Sequence, residues 1–250
     1  MTPRKTTWLE RLEKWRKEKK EFYAKQLLTE PEKLNLIKGI RFPACYLIMG
    51  AKRVGKTGLA HEIAHKFHEK LGVCAVLHMP YAPKKVRRRV QSKLPPWMKI
   101  TVSMGEWPKD CVVIYDEASQ SAHARRTQSH NAITLDNLQG VSGQRNQLIL
   151  FISHHSRKLD PGLVRDIDGI IYKMPTYAHA IFEREELTEL TWRAVDFFSK
   201  LNEKNFNKHA LLLDLWSFTF YRIENKLAPW WDTELSCLFQ EIYPEKGDNN

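Results

Sequence analysis

An eight-residue stretch of the form G-x-x-x-x-G-K-T, Gly50 to Thr57, is the feature that most constrains the fold of this chain. It follows a short apolar run, Ala44 to Met49, and precedes a segment whose apolar residues recur on one helical face, Leu59 to Leu71. Two glycines let the backbone curl around a phosphate, so that consecutive N–H groups and a helix N-terminus point at the anion. The sequence therefore predicts a buried strand, a nucleotide-binding P-loop and a helix, in that order.

The P-loop and the first turn of the helix would hold ATP and Mg²⁺. Lys56 is expected to neutralise the β- and γ-phosphate oxygens, and the Thr57 hydroxyl to hold the metal. Lys52 and Arg53 add charge that could supplement phosphate binding. The predicted nucleotide contacts in this segment are Gly50, Ala51, Lys52, Arg53, Val54, Gly55, Lys56, Thr57 and Gly58.

The rest of the chain also favours an α/β fold. A chain of 250 residues, of which 42% are hydrophobic, can bury one large core with an appendage. Short apolar runs alternate with helical patterns, as in parallel βαβ units, and the runs are nearly continuous, as in strands covered on both faces. We expect strands at about residues 44–49, 73–78, 111–115, 147–152 and 168–173, helices at 56–71 and 131–142, and a helical turn at Pro161 to Arg165.

Three regions are expected along the chain: a charged helical segment at residues 1–38, the P-loop core at 39–178 and a peripheral C-terminal region at 179–250. The first could be a solvated helix that packs one apolar edge on the core, or it could dock on nucleic acid or a neighbouring subunit. The arrangement of the third is left open, and Trp216, Trp230 and Trp231 are interpreted there as core or interface residues. We predict a three-layer sandwich around a mostly parallel sheet, with an N-terminal helix and a small C-terminal appendage.

A second apolar run, Cys111 to Tyr115, ends in two acids, Asp116 and Glu117. Parallel strands end at one edge of a sheet, so Asp116 is expected beside the P-loop, where it would bind Mg²⁺ through a water. Glu117 would face the γ-phosphate and polarise the attacking water. The pair therefore favours hydrolysis of ATP. The alternative is that the two acids only cap a strand.

A third apolar run, residues 147–152, ends in Ser153 and His154. In NTPases with an additional central strand, the ASCE type, a polar residue at this tip contacts the γ-phosphate or the lytic water. Ser153 or His154 could do so here. The alternative is a loop residue with ordinary hydrogen bonds.

The order of these features resembles the FtsK/HerA superfamily, and within it the viral genome-packaging ATPases. Ser142 to Asn146 lead into the strand that ends in His154, and Pro161 to Arg165 precede Ile170 to Tyr172. The resemblance implies a homo-oligomeric ring, a pentamer or hexamer, that translocates double-stranded DNA at the expense of ATP. Members of the superfamily usually carry Gln where this chain has His154.

A ring motor of this kind needs an arginine supplied across the subunit interface, because a planar, permanently charged group best meets the dispersed charge of the phosphoryl transition state. By its position in the resemblance, Arg145 is the candidate. Arg125, Arg126 and Arg165 are alternatives. For any one arginine in such a basic chain, a solvated surface charge is the simpler interpretation.

The densest positive segment, residues 84–93, carries six positive side chains and no acid. It would bind phosphates without reading bases. The alternative is a solvated loop, or a helix that docks on an acidic partner such as a capsid portal. The predicted DNA contacts are Lys84, Lys85, Arg87, Arg88, Arg89 and Lys93.

The net charge of the chain also favours a polyanionic partner. The formal charge is +11, which suits nucleic acid, with an anionic membrane as the rival interpretation. No run of about 18 apolar residues is present, and the longest candidate, Ala210 to Phe220, contains Asp214. Four scattered cysteines fit a reducing compartment. We expect a protein without a membrane span in the host-cell cytoplasm, docked on a capsid or portal component.

A competing motif is H-E-x-x-H at His61 to His65, the pattern of zinc proteases. It lies on the helix that follows the P-loop, where these positions must pack or face solvent. A packing role is therefore preferred to zinc binding.

Together the patterns predict an ATP-driven translocase that packages a viral double-stranded DNA genome into a capsid, with hydrolysis at subunit interfaces of a ring. One alternative is an assembly or secretion ATPase of the zonula-occludens-toxin type, which shares this core. The other is an AAA-like loader or DNA-binding nucleotide switch with little turnover.

Overall fold

A computed structural model describes residues 8–116, 142–201 and 206–239. Its nine described strands form one sheet, and eight described helices lie around it. The strands are β1 (Glu32–Leu34), β2 (Ala44–Gly50), β3 (Cys74–His78), β4 (Met98–Thr101), β5 (Cys111–Tyr115), β6 (Gln147–Ser153), β7 (Gly169–Lys173), β8 (His209–Asp214) and β9 (Thr219–Glu224). The helices are α1 (Trp8–Leu28), α2 (Leu36–Gly39), α3 (Lys56–Leu71), α4 (Lys84–Gln91), α5 (Pro161–Arg165), α6 (Tyr177–Ile181), α7 (Glu185–Ser199) and α8 (Thr233–Leu238).

The sheet has the order β1-β9-β8-β7-β2-β6-β5-β3-β4. The six strands from β7 to β4 are parallel, with β6 between the P-loop strand β2 and the aspartate strand β5. Met49 pairs with Ser153, and Tyr115 with Phe151, so β2, β5 and β6 end close together. The carboxyl edge of a parallel sheet is where open α/β folds bind their ligands.

Both faces of the sheet are covered, which explains why the core strands are continuously apolar. Successive residues of β2 enter alternate clusters: Tyr46 and Ile48 pack on the face that carries α2, α3, α4 and α8. Leu47 and Met49 pack on the face that carries α5 and α7. The predicted three-layer sandwich is confirmed.

The five strands predicted from apolar runs are all present, as are the helix at residues 56–71 and the turn at Pro161 to Arg165. The helix expected at residues 131–142 lies almost wholly outside the described residues. The short strand β4 was not predicted and extends one edge of the sheet. The C-terminal region, whose arrangement was left open, supplies β8 and β9, which extend the sheet on the other side in antiparallel pairing. β1 pairs in parallel with β9, so residues from both ends of the chain contribute to the central sheet.

None of the helices in the described residues is long and apolar enough to cross a membrane. The longest of them is α1, at 21 residues.

Candidate nucleotide-binding site

The loop between β2 and α3 has the backbone geometry of a phosphate cradle. Gly50 and Gly55 have positive φ angles, 148° and 86°. A Cβ at Gly50 would lie 1.8 Å from the carbonyl oxygen of Lys173, so only glycine fits where the loop leaves β2. No side chain of the described residues caps α3 at Gly55, so the amides of its first turn can meet an anion.

Lys56 is buried within this loop. Its Nζ donates to the carbonyl oxygens of Gly50 and Ala51, at 3.0 and 2.6 Å. Nζ also lies 3.1 Å from Nδ1 of His154, which directly follows β6. The strand-tip residue that the sequence predicts as a sensor therefore contacts the P-loop lysine. By contrast, the hydroxyl of Ser153 donates to a backbone carbonyl two residues further on, at 2.9 Å.

Thr57 and Asp116 meet beside the lysine. The Thr57 hydroxyl donates to Oδ2 of Asp116 over 3.0 Å, although the two residues are 59 positions apart. A hydroxyl and a carboxylate oxygen are hard ligands of the kind that Mg²⁺ prefers. The residues present therefore fit Mg²⁺, with Thr57 as a direct ligand and Asp116 acting through water. A bound Mg²⁺ would neutralise phosphate charge here. Among the described residues, no group of three or more His, Cys, Asp and Glu side chains could hold another metal.

Most predicted nucleotide contacts line one cavity of about 520 Å³ at the carboxyl edge of the sheet. Ile152 and His154 also line it. Gly50, Ala51 and Val54 belong to the loop but not to the lining of this cavity. The predicted contacts in the lining are Lys52, Arg53, Gly55, Lys56, Thr57, Gly58, Asp116 and Ser153.

A second part of the cavity lining was not predicted. It consists of Leu227, Trp231, Ser236 and Phe239, from the segment that follows β9 and from α8 with the residue after it. Trp231 packs on the core, as expected from the sequence, and in addition faces the cavity. A tryptophan in a segment remote from the P-loop motif carries no local signal of this second role.

Lys173, at the end of β7, is a further cation behind the P-loop that the sequence did not reveal. The side chain is fully buried, and its Nζ donates to the carbonyls of Asn207 and His209 and to Oδ1 of Asn225, at 2.7, 2.8 and 3.0 Å. Burial lowers the pKa of Lys173 from 10.5 to about 7. The Lys173 carbonyl oxygen leaves no room for a side chain at position 50. Through its backbone and its ammonium group, Lys173 therefore anchors one side of the loop to the region of β8 and β9.

The predicted catalytic residues are not all brought together within one chain. Arg145 lies two residues before β6 begins, at the sheet edge opposite the P-loop, and its guanidinium donates to the carbonyl of Trp107. Arg165 is exposed at the end of α5. Glu117, Arg125 and Arg126 lie outside the described residues.

The H-E-x-x-H segment packs instead of binding zinc. His61 is fully buried, with ring centroids 4.6 Å from Trp231 and 5.1 Å from Trp230, and burial lowers its pKa from 6.5 to about 3. Nε2 of His65 lies 3.3 Å from Oε1 of Glu69 on the next turn. Both histidines are therefore held by contacts within the fold.

The predicted DNA segment forms α4 and the turn after it. Val86 and Val90 are buried on the sheet face that carries α3, so the opposite side of α4 is basic. Lys93 forms an ion pair with Glu234 of α8. Of the other predicted contacts, Lys84, Lys85, Arg88 and Arg89 are exposed and Arg87 is half-buried.

No family model and no curated protein sequence matches this chain. Solved structures do match its fold. The DNA-packaging ATPase from Sulfolobus turreted icosahedral virus gives a TM-score of 0.53 at 12% identity, over 74% of this chain and 98% of that chain. The genome packaging NTPase from Sulfolobus turreted icosahedral virus 2, in complex with AMPPCP, gives 0.51 at 12% identity over the same shares.

The N-terminal domain of zonular occludens toxin from Neisseria meningitidis is also similar, over 79% of this chain and 98% of that chain. Its TM-score is 0.41 at 15% identity, which is too low to support an inference.

At these identities the similarity concerns the fold. Two features of this chain point to the same fold: the strand order, in which β6 separates β2 from β5, and the contact between Thr57 and Asp116. The predicted resemblance to viral genome-packaging ATPases is confirmed at this level. The chain has the α/β fold of the P-loop NTPases, in the class with an additional strand between the P-loop strand and the aspartate strand.

Proposed function

We propose that this protein hydrolyses ATP to translocate double-stranded DNA during the packaging of a viral genome. The observation that carries the proposal is the meeting of Lys56, Thr57 and Asp116 at one sheet edge, with His154 of the additional strand on the lysine. Phosphoryl transfer is catalysed by positioning and by charge, and these residues offer both.

Hydrolysis requires a water-activating group beyond these residues. Glu117 directly follows Asp116 in the sequence and is proposed as this base. His154 is proposed to contact the γ-phosphate when Lys56 turns from the loop carbonyls to the nucleotide. A nucleotide-binding protein without turnover would need neither residue.

The basic side of α4 is proposed as the DNA contact. Lys84 and Lys85 occupy the first turn of the helix, where the macrodipole disfavours cations. Their placement therefore does not serve the stability of the helix, but it suits a phosphate partner. Contacts of this type hold the DNA backbone without reading sequence, as a translocating motor requires.

The active protein is proposed to be a ring, a pentamer or hexamer, in the host-cell cytoplasm and docked on a capsid or portal component. Arg145 would then complete the site of the neighbouring subunit. It lies across the sheet from its own P-loop, so any role in phosphoryl transfer must be played in another subunit.

The direct test is ATP hydrolysis by the purified protein, measured with and without double-stranded DNA over a range of protein concentrations. We expect the rate per subunit to rise with DNA and with protein concentration, because the site is shared between subunits. Glu117→Gln should bind ATP but not turn it over, whereas Lys38→Ala, an exposed change on α2, should behave as wild type. Normal turnover by Glu117→Gln would refute the proposed chemistry. ATPase activity indifferent to DNA would favour the assembly-ATPase alternative.

A further inference from the structure

The lining of the nucleotide cavity has two chemically different parts. Lys56, Thr57 and Asp116 mark the part that takes the β- and γ-phosphates. A second part is mostly apolar, with Leu227, Trp231 and Phe239, and Ser236 supplies its polar side chain among the described residues. We call these four residues the C-terminal wall.

The C-terminal wall packs against the first turn of α3. A Cβ at Gly58 would lie 2.9 Å from Cδ2 of Leu227 and 3.8 Å from Nε1 of Trp231, so glycine permits this close approach. Gly58 directly follows Thr57, in the turn whose amides face the α- and β-phosphates. A nucleoside whose phosphates bind at this turn would therefore lie within reach of Leu227 and Trp231.

The aromatic part of this wall is held in place before any ligand binds. The Trp231 ring lies 4.6 Å from the buried imidazole of His61 and 5.8 Å from Phe239, measured between centroids. The Trp231 amide donates to the Ala228 carbonyl at 2.9 Å, and Oδ1 of Asp232 caps α8 at 2.6 Å. Binding therefore loses little side-chain entropy in ordering the ring.

We propose that the base of the bound nucleoside triphosphate stacks on Trp231 within the C-terminal wall, and that this site selects purines by ring area without distinguishing adenine from guanine. The inference rests on the proposed function only in that the cavity binds a nucleoside triphosphate. It assigns a base-binding role to a segment that lies outside every P-loop motif.

The chemistry of the wall explains the lack of discrimination. Adenine and guanine differ in the donors and acceptors on their edges, and a site rejects the wrong base strongly only when buried polar groups are left unpaired by it. The hydroxyl of Ser236 both donates and accepts, so it can pair with either edge. Stacking depends on the ring face, which both purines share and pyrimidines offer less of.

The first experiment measures equilibrium binding of ATP, GTP, CTP and inorganic tripolyphosphate to the wild-type protein without DNA. We expect the dissociation constants of ATP and GTP to agree within about tenfold, and CTP to bind more weakly than both. A preference for ATP over GTP greater than about 100-fold would overturn the proposal, because it requires edge recognition. CTP binding as tightly as ATP would also overturn it.

The second experiment compares Trp231→Ala, Trp231→Phe and the matched control Trp216→Ala. Trp216 is 77% exposed and donates to Asp168, at the sheet edge away from the cavity. Trp231→Ala should raise the dissociation constants of ATP and GTP by about tenfold or more, while that of tripolyphosphate stays unchanged. Trp231→Phe should retain most of the affinity, and Trp216→Ala all of it. An equal loss for ATP and tripolyphosphate would show a structural effect on the whole site and would contradict the proposal.

The two proposals can fail separately. If ATP binding depends on Lys56 but not on Trp231, the base site is wrong and the proposed function stands. If Trp231→Ala weakens ATP selectively but DNA never stimulates hydrolysis, the base site stands and the translocase is wrong.

Discussion

Lys173 shows how a single buried charge can support a phosphate-binding loop. Its ammonium group has three oxygen acceptors, from β8, from the turn before β8 and from Asn225, which directly follows β9. The negative charge of Glu62 on α3 favours the charged form of this lysine. Burial disfavours the charged form, which lowers the pKa of Lys173 to about 7. The loop is therefore anchored by a group that titrates near neutral pH.

Stability should consequently rise with pH above 7 through Lys173. Its pKa is about 7 in the folded protein and 10.5 in the unfolded chain, so the unfolded chain binds more protons between these values. The contribution has a slope of up to about 1.4 kcal/mol per pH unit. Urea unfolding at pH 6.5, 7.5 and 8.5 should show this slope in wild type and its loss in Lys173→Met. The exposed Lys38→Met should keep the wild-type profile, and equal slopes in all three proteins would contradict the assigned pKa.

His154 offers a second prediction at this scale. Its Nδ1 lies 3.1 Å from the Lys56 ammonium, at the tip of the additional strand. His154→Ala should lower kcat by about tenfold or more with little change in ATP affinity, because it removes a contact needed when the γ-phosphate is transferred. His154→Gln should restore part of the rate, since an amide can also contact the phosphate. A variant that loses ATP affinity but keeps kcat would instead assign His154 to ground-state binding.

The residues of the phosphate site were predictable because their motif fixes their places. Parallel strands end at one sheet edge, so Thr57 and Asp116 could be expected to meet, and they do. Lys173 and Trp231 were not predictable as site residues. A lysine that ends a strand is usually solvated, and only the tertiary packing of β8 and β9 buries this one.

At the scale of elements, α4 has an apolar side that packs on the core and a basic side that faces away from it. Val86 and Val90 fix its inner side, and the ion pair between Lys93 and Glu234 joins its C-terminal end to α8. Since α8 also carries Ser236 of the C-terminal wall, the same helix contacts the α4 segment and contributes to the proposed base site. Lys93 is therefore assigned to this contact with α8, and Lys84 and Lys85 are better placed to bind DNA.

Removal of two charges from α4 tests this assignment. Lys84→Ala together with Lys85→Ala should weaken binding to short DNA duplexes of unrelated sequence by similar factors. The slope of log affinity against log salt should fall by about 2, because two phosphate contacts are lost. The matched control is Lys38→Ala with Lys109→Ala, two exposed lysines outside α4. An unchanged salt slope in the α4 variant would place the DNA elsewhere on the protein.

The elements that the sequence failed to place are the strands towards the two edges of the sheet. β1 and β4 have three and four residues, too few for a periodic signal. β8 and β9 join the sheet in antiparallel pairing next to β7, which depends on contacts distant in sequence. The core strands were predictable because two covered faces require a continuous apolar run.

At the scale of the whole molecule, the position of Arg145 separates it from its own nucleotide. β6 has seven residues, which corresponds to roughly 20 Å between its ends. Arg145 precedes one end, and His154 follows the other beside the P-loop. Arg145 is therefore out of reach of its own P-loop, and the role proposed for it requires a ring that brings this edge to the cavity of a neighbouring subunit.

A mixing experiment decides whether Arg145 acts in this way. Arg145→Ala subunits keep an intact Glu117, and Glu117→Gln subunits keep an intact Arg145, so each variant alone should be inactive. A mixed ring contains interfaces at which the two intact residues meet, and these should restore part of the ATPase activity. The same mixture with Lys56→Ala added to the Arg145→Ala subunits should stay inactive, since the only sites with Glu117 then cannot hold the phosphates. Failure of the first mixture to recover activity, in rings shown by mass to contain both variants, would exclude Arg145 as the arginine that acts across the interface.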